Sequence, residues 1–416
     1  MEIDYSKLEK IIADSIDSKY DDVMKRYGID TDLFAIVGKE LQNFQKGCLY
    51  HDLSSEIKKF LEESDFYSRD GGWLIHTDGG SYGFSPEMIA PNLIRIAIEC
   101  ASPIKASTWL KSIIESEFTD GFCVRLLWGI KVTSKFEVFN DVFLMPIEEI
   151  PNSPQKEWAT DDSTWFPSFP HQSQLGMPKC ALVKKLRIQP LIFHSSDEPT
   201  NVNRTDNELL KEIQSKLTLS GPSPVMECVS WFHFEDKYLN FMHERSWGHI
   251  EAIPAVQETF GDFLPAEAEK IVHSYFQIKE ANTKNKIDRA IGRLNLAMRR
   301  SDPGDAAVEL SIALECLFAD NPGENTYKIG LRVALLLGGN ATEKIRTRSI
   351  ISALYTVRSE LVHNGSNAEE IKLKKMSEKW STKELIKEAC KISACAISKI
   401  IELNELPDWY ELELNA

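Results

Sequence analysis

The sequence predicts an α+β protein. An N-terminal mixed α/β region with an antiparallel sheet is expected over residues 1–265, and an all-α helical bundle over residues 266–416. Three observations predict this. Short apolar runs rich in β-branched and aromatic residues fill the middle of the chain and stop near Pro265. Beyond Pro265 the apolar residues recur with helical spacing. The chain has 416 residues, 43% of them hydrophobic, which is enough for sizeable cores in two or three domains.

The elements follow in order. The first thirty residues read as a polar helix, and "TDLFAIVGKELQNFQ" as a second, capped by Thr31 or Asp32. After "RDGGWLIHTDGGSYG" the pattern turns to strands and turns. "FCVRLLWGIKV", "KFEVFNDVFLMPI", "CALVKKLRIQPLIF" and "MECVSWFHFEDKYLNFM" read as four strands. Residues 151–178, with Pro151, Pro154, Pro167, Pro170 and Pro178, read as a long connection in the sheet region rather than a partner-binding lid. "SSDEPTNVNRTDNE" is a second polar loop.

Six helices are expected after Pro265: "PAEAEKIVHSYFQIKEA", "NKIDRAIGRLNLAMRR", "DAAVELSIALECLFAD", "YKIGLRVALLL", "TRSIISALYTVRSELVH" and "STKELIKEACKISACAISKIIEL". The third is apolar nearly all round and should be the most buried. The fifth carries a stripe of Ile350, Leu354, Val357 and Leu361. The sixth opens on a capping box, Ser381 to Glu384, and buries Ile386, Ala389, Ser393, Ile397 and Ile400.

Composition narrows the function. The formal charge is −15, so any nucleic acid must meet a local basic patch. Eight scattered cysteines form no CxxC pair and predict no disulfide framework. "MEIDYSKLEK" is neither a signal nor a transit peptide, and no apolar run approaches the ~20 residues that span a bilayer. A cytoplasmic protein without membrane contact is expected. P-loop, GxGxxG and GxSxG motifs are lacking, and His243 and His249 have no third ligand at metal spacing. No metal and no cofactor are expected.

"YTVRSELVHNG", Tyr355–Gly365, carries the chemistry. Asn364-Gly365 is a strong helix stop, so His363 falls on the last turn of its helix. Arg358 lies five residues earlier, about 140° round the helix. A long arginine and a fraying helix end allow both to converge on one ligand, although cations near a helix C-terminus are also favoured by the macrodipole alone. Arg69 to His76 and Arg187 to His194 are similarly spaced, but Gly71-Gly72 and Pro190 keep both off helices.

"AAVELSIALECLFADN", "YKIGLRVALLLG" and "IISALYTVRSELVHNG" together resemble the C-terminal region of the Apea-like HEPN proteins, over about residues 285–404. The HEPN signature is an arginine, four to six residues, then a histidine near the end of a helix. In this subgroup the helix reads as a tyrosine, a short gap, then "RS…VHG", and Tyr355, Arg358, Ser359, Val362 and His363 match it. Ala313, Leu314, Glu315, Leu317 and Phe318 match the upstream "ALE.LF" helix. Asn364 is inserted before the glycine, and Ser359 stands where many HEPN ribonucleases carry asparagine.

The resemblance implies a metal-independent endoribonuclease that acts as a homodimer, its two motifs meeting across a two-fold axis. His363 would move the proton of the attacking 2′-hydroxyl, since imidazole titrates near neutral pH. Arg358 would hold the scissile phosphate. Products would end in a 2′,3′-cyclic phosphate or 3′-phosphate and a 5′-hydroxyl. Glu315, acidic in a helix expected to be buried, would orient His363, pair with Arg358, or simply tie the bundle together. Tyr355 would pack or stack on a base, and Glu360 reads as a solvated face residue. Lys284, Lys286, Arg289, Arg293, Arg299 and Arg300 concentrate positive charge against Asp288 alone, as a phosphate track or as a solvated face. Proteins with this subgroup's domain are often found in bacterial anti-phage defence, cutting RNA such as tRNA. A phage-derived trigger or inhibitor protein would then act through the N-terminal region. The rival readings are a non-catalytic HEPN scaffold for RNA binding or dimerisation, and the toxin of a toxin–antitoxin pair.

Overall fold

The N-terminal helix is amphipathic, with Leu8 and Ile12 buried one turn apart. The computed structural model describes residues 3–27, 47–68, 71–78, 80–160, 178–197, 206–242, 262–319, 326–365, 369–373, 376 and 378–415. The helix expected at 31–45, most of the two long connections, Arg69, His243 and His249 lie outside the described residues.

The first half is mixed. Helix α1 (Tyr5–Tyr27) and α2 (Ser55–Glu62) precede strands β1 (Trp73–Thr77) and β2 (Gly80–Gly83). Then come α3 (Pro86–Glu99), α4 (Pro103–Glu115) and the strands β3 (Thr119–Trp128), β4 (Phe136–Phe139) and β5 (Val142–Pro146). Helix α5 (Pro154–Thr160), strands β6 (Cys180–Ile188) and β7 (Ile192–His194), helix α6 (Asp206–Leu217) and β8 (Met226–Phe234) complete it. One sheet has the order β2-β1-β7, antiparallel throughout, with Trp73 opposite His194. A second has the order β4-β5-β6-β3-β8.

Two expected strands are in fact pairs. "KFEVFNDVFLMPI" folds into the hairpin β4–β5, because Asn140 and Asp141 both take positive φ, 38° and 63°, and turn the chain in two residues. "CALVKKLRIQPLIF" breaks into β6 and β7 before Leu191, since Pro190 lacks the amide hydrogen that a ladder needs. The fourth expected strand ends at Phe234 and passes into a short 3-10 turn, Lys237–Met242.

The C-terminal half is helical: α7 (Pro265–Gln277), α8 (Ala281–Arg299), α9 (Pro303–Phe318), α10 (Thr326–Leu337) and α11 (Ala341–Asn364). A small hairpin, β9 (Glu370–Lys372) with β10 (Lys379–Ser381), precedes α12 (Thr382–Leu403) and α13 (Trp409–Leu414). The hairpin corrects the all-helical expectation. Helix α9 is sheathed by its neighbours and buries Leu310, Leu314, Leu317 and Phe318. Ser381 and Glu384 form the expected capping box, and all five residues of the α12 face are buried.

Residue contacts divide the chain into two units. One holds Met1–Cys123, Lys185–Asp206 and Phe232–Ser246, and the other holds Val124–Lys184, Asn207–Trp231 and Trp247–Ala416. In the first, α4 is tied to α1 by a Ser107–Glu9 hydrogen bond of 2.7 Å, and Phe66 stacks on Trp73 at 4.6 Å. In the second, the β4–β5 hairpin packs on α7, with Phe139 stacked on Phe276 at 4.3 Å. Buried Arg125 pairs there with Glu227 and Gln214, so its charge is compensated. Lys216 on α6 is likewise buried, donating to Asp288 on α8 at 2.6 Å. The Tyr275 hydroxyl bridges Asp288 and Glu212. This network fixes α6 and α7 against α8.

Candidate active site

Helix α11 is defined at both ends. Asn340 accepts from the Thr342 and Glu343 amides, and the Glu343 carboxylate accepts from the Asn340 amide. Gly365 closes the other end in the left-handed region, φ 64°, with its amide donating to the Leu361 carbonyl at 2.9 Å. The helix is thus about 36 Å long. Ile350, Ile351, Leu354, Tyr355 and Val357 bury themselves in the bundle. The apolar stripe ends at Val357. Leu361 is only half-buried, Val362 is 62% exposed, and Ser359, His363 and Asn364 are exposed. The motif therefore sits where α11 leaves the core.

Arg358 is the hinge between core and surface. Its Nη1 lies 3.5 Å from the Glu315 Oε1 on α9, each side chain 38% exposed. Glu315 is thus half-exposed, not buried as its helix suggested. The ring of Tyr355, one turn earlier on α11, lies 5.8 Å from the guanidinium carbon. Tyr355 is 7% exposed, so it packs and offers no face to a base. Its hydroxyl is buried without a hydrogen bond. Burial pushes this hydroxyl far above its usual pKa; the Glu315 carboxylate adds to the shift and Arg358 opposes it. Glu315 is therefore within reach of the hydroxyl, without a well-formed hydrogen bond between them. No hydrogen bond or ion pair joins Arg358 to His363 among the described residues. The structure brings together Arg358, Glu315 and Tyr355, and leaves His363, Ser359 and Asn364 at the exposed helix end.

The basic residues of α8 divide by face. Lys286, Arg289, Arg293 and Arg300 recur at i, i+3, i+7 and i+14 and share one side. That side reaches α9 at Glu309, through Arg293 and Arg300. Burial raises the pKa of the Cys316 thiol, and Arg289, Arg293 and Lys286 all pull it down while Glu315 pushes it up. Lys284 lies about 160° away from Lys286 and sits over the rings of Tyr275 and Phe276, at 5.2 and 5.8 Å. It does not share the face of the other three predicted RNA-binding residues.

Glu309 was not anticipated. It is the buried acid of α9, accepting from Arg293 at 2.8 Å and Arg300 at 2.6 Å. The spacing of seven between the two arginines was the available signal, because it puts both on one face. Arg293 is therefore partly committed to the bundle, and Arg299 is buried. Lys286 and Arg289 have no such carboxylate partner among the described residues.

Comparisons of the chain with protein-family models, with curated proteins and with solved structures find no match.

Proposed function

We propose that the chain is a HEPN-type, metal-independent endoribonuclease in which Arg358 binds the scissile phosphate and His363 moves the proton of the attacking 2′-hydroxyl. The observation that carries the reading is a convergence. The arginine of the motif stands half-exposed where α11 meets α9, and the α8 stripe of Lys286, Arg289 and Arg293 runs beside the same helix, held to it where Arg293 pairs with Glu309. An acidic chain that handles RNA needs such a local concentration of cations.

The chemistry divides between the two groups. A guanidinium fork matches two phosphate oxygens and stabilises the charge that grows on them as the pentacovalent intermediate forms. An imidazole exposed at the helix end takes up one proton and returns it to the leaving 5′-oxygen. The two lie on different sides of α11, so one scissile linkage would be served by motifs of two copies. This homodimer, the role of residues 1–265 in receiving a phage-derived trigger or inhibitor, and a place in abortive infection all rest on the sequence resemblance.

The test is cleavage of labelled tRNA and total RNA in EDTA by the full chain. Cleavage should fall at least a hundredfold in both Arg358→Ala and His363→Ala, the scale of lost acid–base or oxyanion stabilisation. Oligomeric state and melting temperature should be unchanged. RNA binding without cleavage in the unaltered chain would instead favour the scaffold reading. Unchanged cleavage in both variants would remove the assignment.

A further inference from the structure

We propose that Glu315 is an internal competitor for Arg358. It holds the guanidinium while the site is empty and releases it to an RNA phosphate by taking up the Tyr355 hydroxyl in exchange. The inference rests on Arg358 being a phosphate ligand.

Three observations carry it. The Glu315–Arg358 contact is 3.5 Å, longer than the about 2.7–2.9 Å of a well-formed charge-assisted hydrogen bond. Both side chains are 38% exposed, so the pair is weak and screened by solvent. It is strong enough to occupy the arginine and weak enough to yield to a phosphodiester whose two free oxygens accept both arms of the guanidinium. The second observation is the buried Tyr355 hydroxyl, which has no hydrogen-bond partner. A buried donor left unsatisfied is unfavourable. The third is position: the Tyr355 ring lies under the guanidinium, and its hydroxyl is within electrostatic reach of Glu315.

The two arrangements differ in bookkeeping of partners. With the site empty, Glu315 is shared between Arg358 and the tyrosine hydroxyl and makes a well-formed bond to neither. With phosphate bound, Arg358 has two phosphate oxygens and Glu315 accepts from Tyr355. Only in the second arrangement does every group have a well-formed partner. Glu315 thereby keeps the arginine from binding stray anions weakly, while the poorly satisfied hydroxyl lowers the cost of letting go.

The experiment measures binding of a short fluorescein-labelled single-stranded RNA to the full chain carrying His363→Ala, which keeps the RNA intact. In that background Glu315→Gln should tighten binding roughly three- to fivefold, the worth of an exposed ion pair. Tyr355→Phe should weaken it about twofold, and less once Glu315→Gln is present. Arg358→Ala serves as the control, and melting curves check each fold. Weaker binding in Glu315→Gln would show that Glu315 positions Arg358 and would overturn the proposal. So would unchanged binding there alongside a loss in Arg358→Ala, which would leave the phosphate-ligand reading standing. No effect of Arg358→Ala would end both. Should Tyr355→Phe fail to fold, Glu315→Gln decides the matter alone.

Discussion

Two glutamates on one helix show how much a single residue's facing matters. Glu309 and Glu315 are six residues apart on α9, about 120° round the axis, and their fates differ. Glu309 is buried against Arg293 and Arg300, and Glu315 is half-exposed beside Arg358. The sequence marks both as acids in an apolar helix, and no pattern within that helix says which one is covered. Burial pushes the Glu309 carboxyl up, but hydrogen bonds from the two arginines outweigh it and bring its pKa below the usual value. Its folded pKa is thus depressed, so its stabilisation is present above the unfolded value of about 4.3 and is lost as pH falls through the folded value. Glu309→Gln should therefore cost about 2 kcal/mol at neutral pH, and the difference should shrink on the acid side. Denaturant melts at pH 7 and at progressively lower pH check this; a pH-independent difference would contradict it.

At the scale of elements, helix spacing was legible and turn chemistry less so. Six of the seven C-terminal helices described and the Ser381 capping box follow from apolar periodicity and end signals that act locally, and the short α13 does not. Asn140-Asp141 is a weaker turn signal than a pair ending in glycine, and apolar residues flank it closely on both sides, so the β4–β5 hairpin reads as one strand. Ile371 and Trp380 are paired across the β9–β10 hairpin, but each strand has only three residues, too few for an alternation to show. The end of α11 was legible to within one residue, because Gly365 takes the positive φ that Asn364-Gly365 announces. A side chain at 365 would meet nothing within 4 Å, so Gly365→Ala carries only the torsional cost, about 1 kcal/mol. That cost falls on the turn bearing His363. Faster amide exchange over residues 361–364 and reduced cleavage are expected with little change in core protection; unaltered exchange would contradict the account.

For the whole molecule, the proposed function requires a chain of formal charge −15 to meet RNA. Its charge total excludes long-range attraction and leaves a local stripe to do the binding. The sequence displays that stripe as a cluster between residues 284 and 300, but which cations are committed elsewhere depends on contacts across helices. Arg293 and Arg300 answer to Glu309, and Lys284 covers the rings of α7. Lys286→Ala and Arg289→Ala should each lower the salt slope of RNA binding by about 0.7 and weaken it evenly across sequences. Lys284→Ala should leave the slope unchanged. Equal slopes for all three variants would mean that the RNA does not follow this face. The proposed HEPN reading gives the stripe its meaning, and it gives none to residues 1–265, whose proposed role rests on analogy alone.

The most direct measurement is sequencing of RNA ends after induced expression of the chain and of its Arg358→Ala and His363→Ala variants. The account predicts new 5′-hydroxyl and 2′,3′-cyclic phosphate ends, clustered at defined sites, that vanish in both variants. The same ends at the same abundance in all three strains would contradict it.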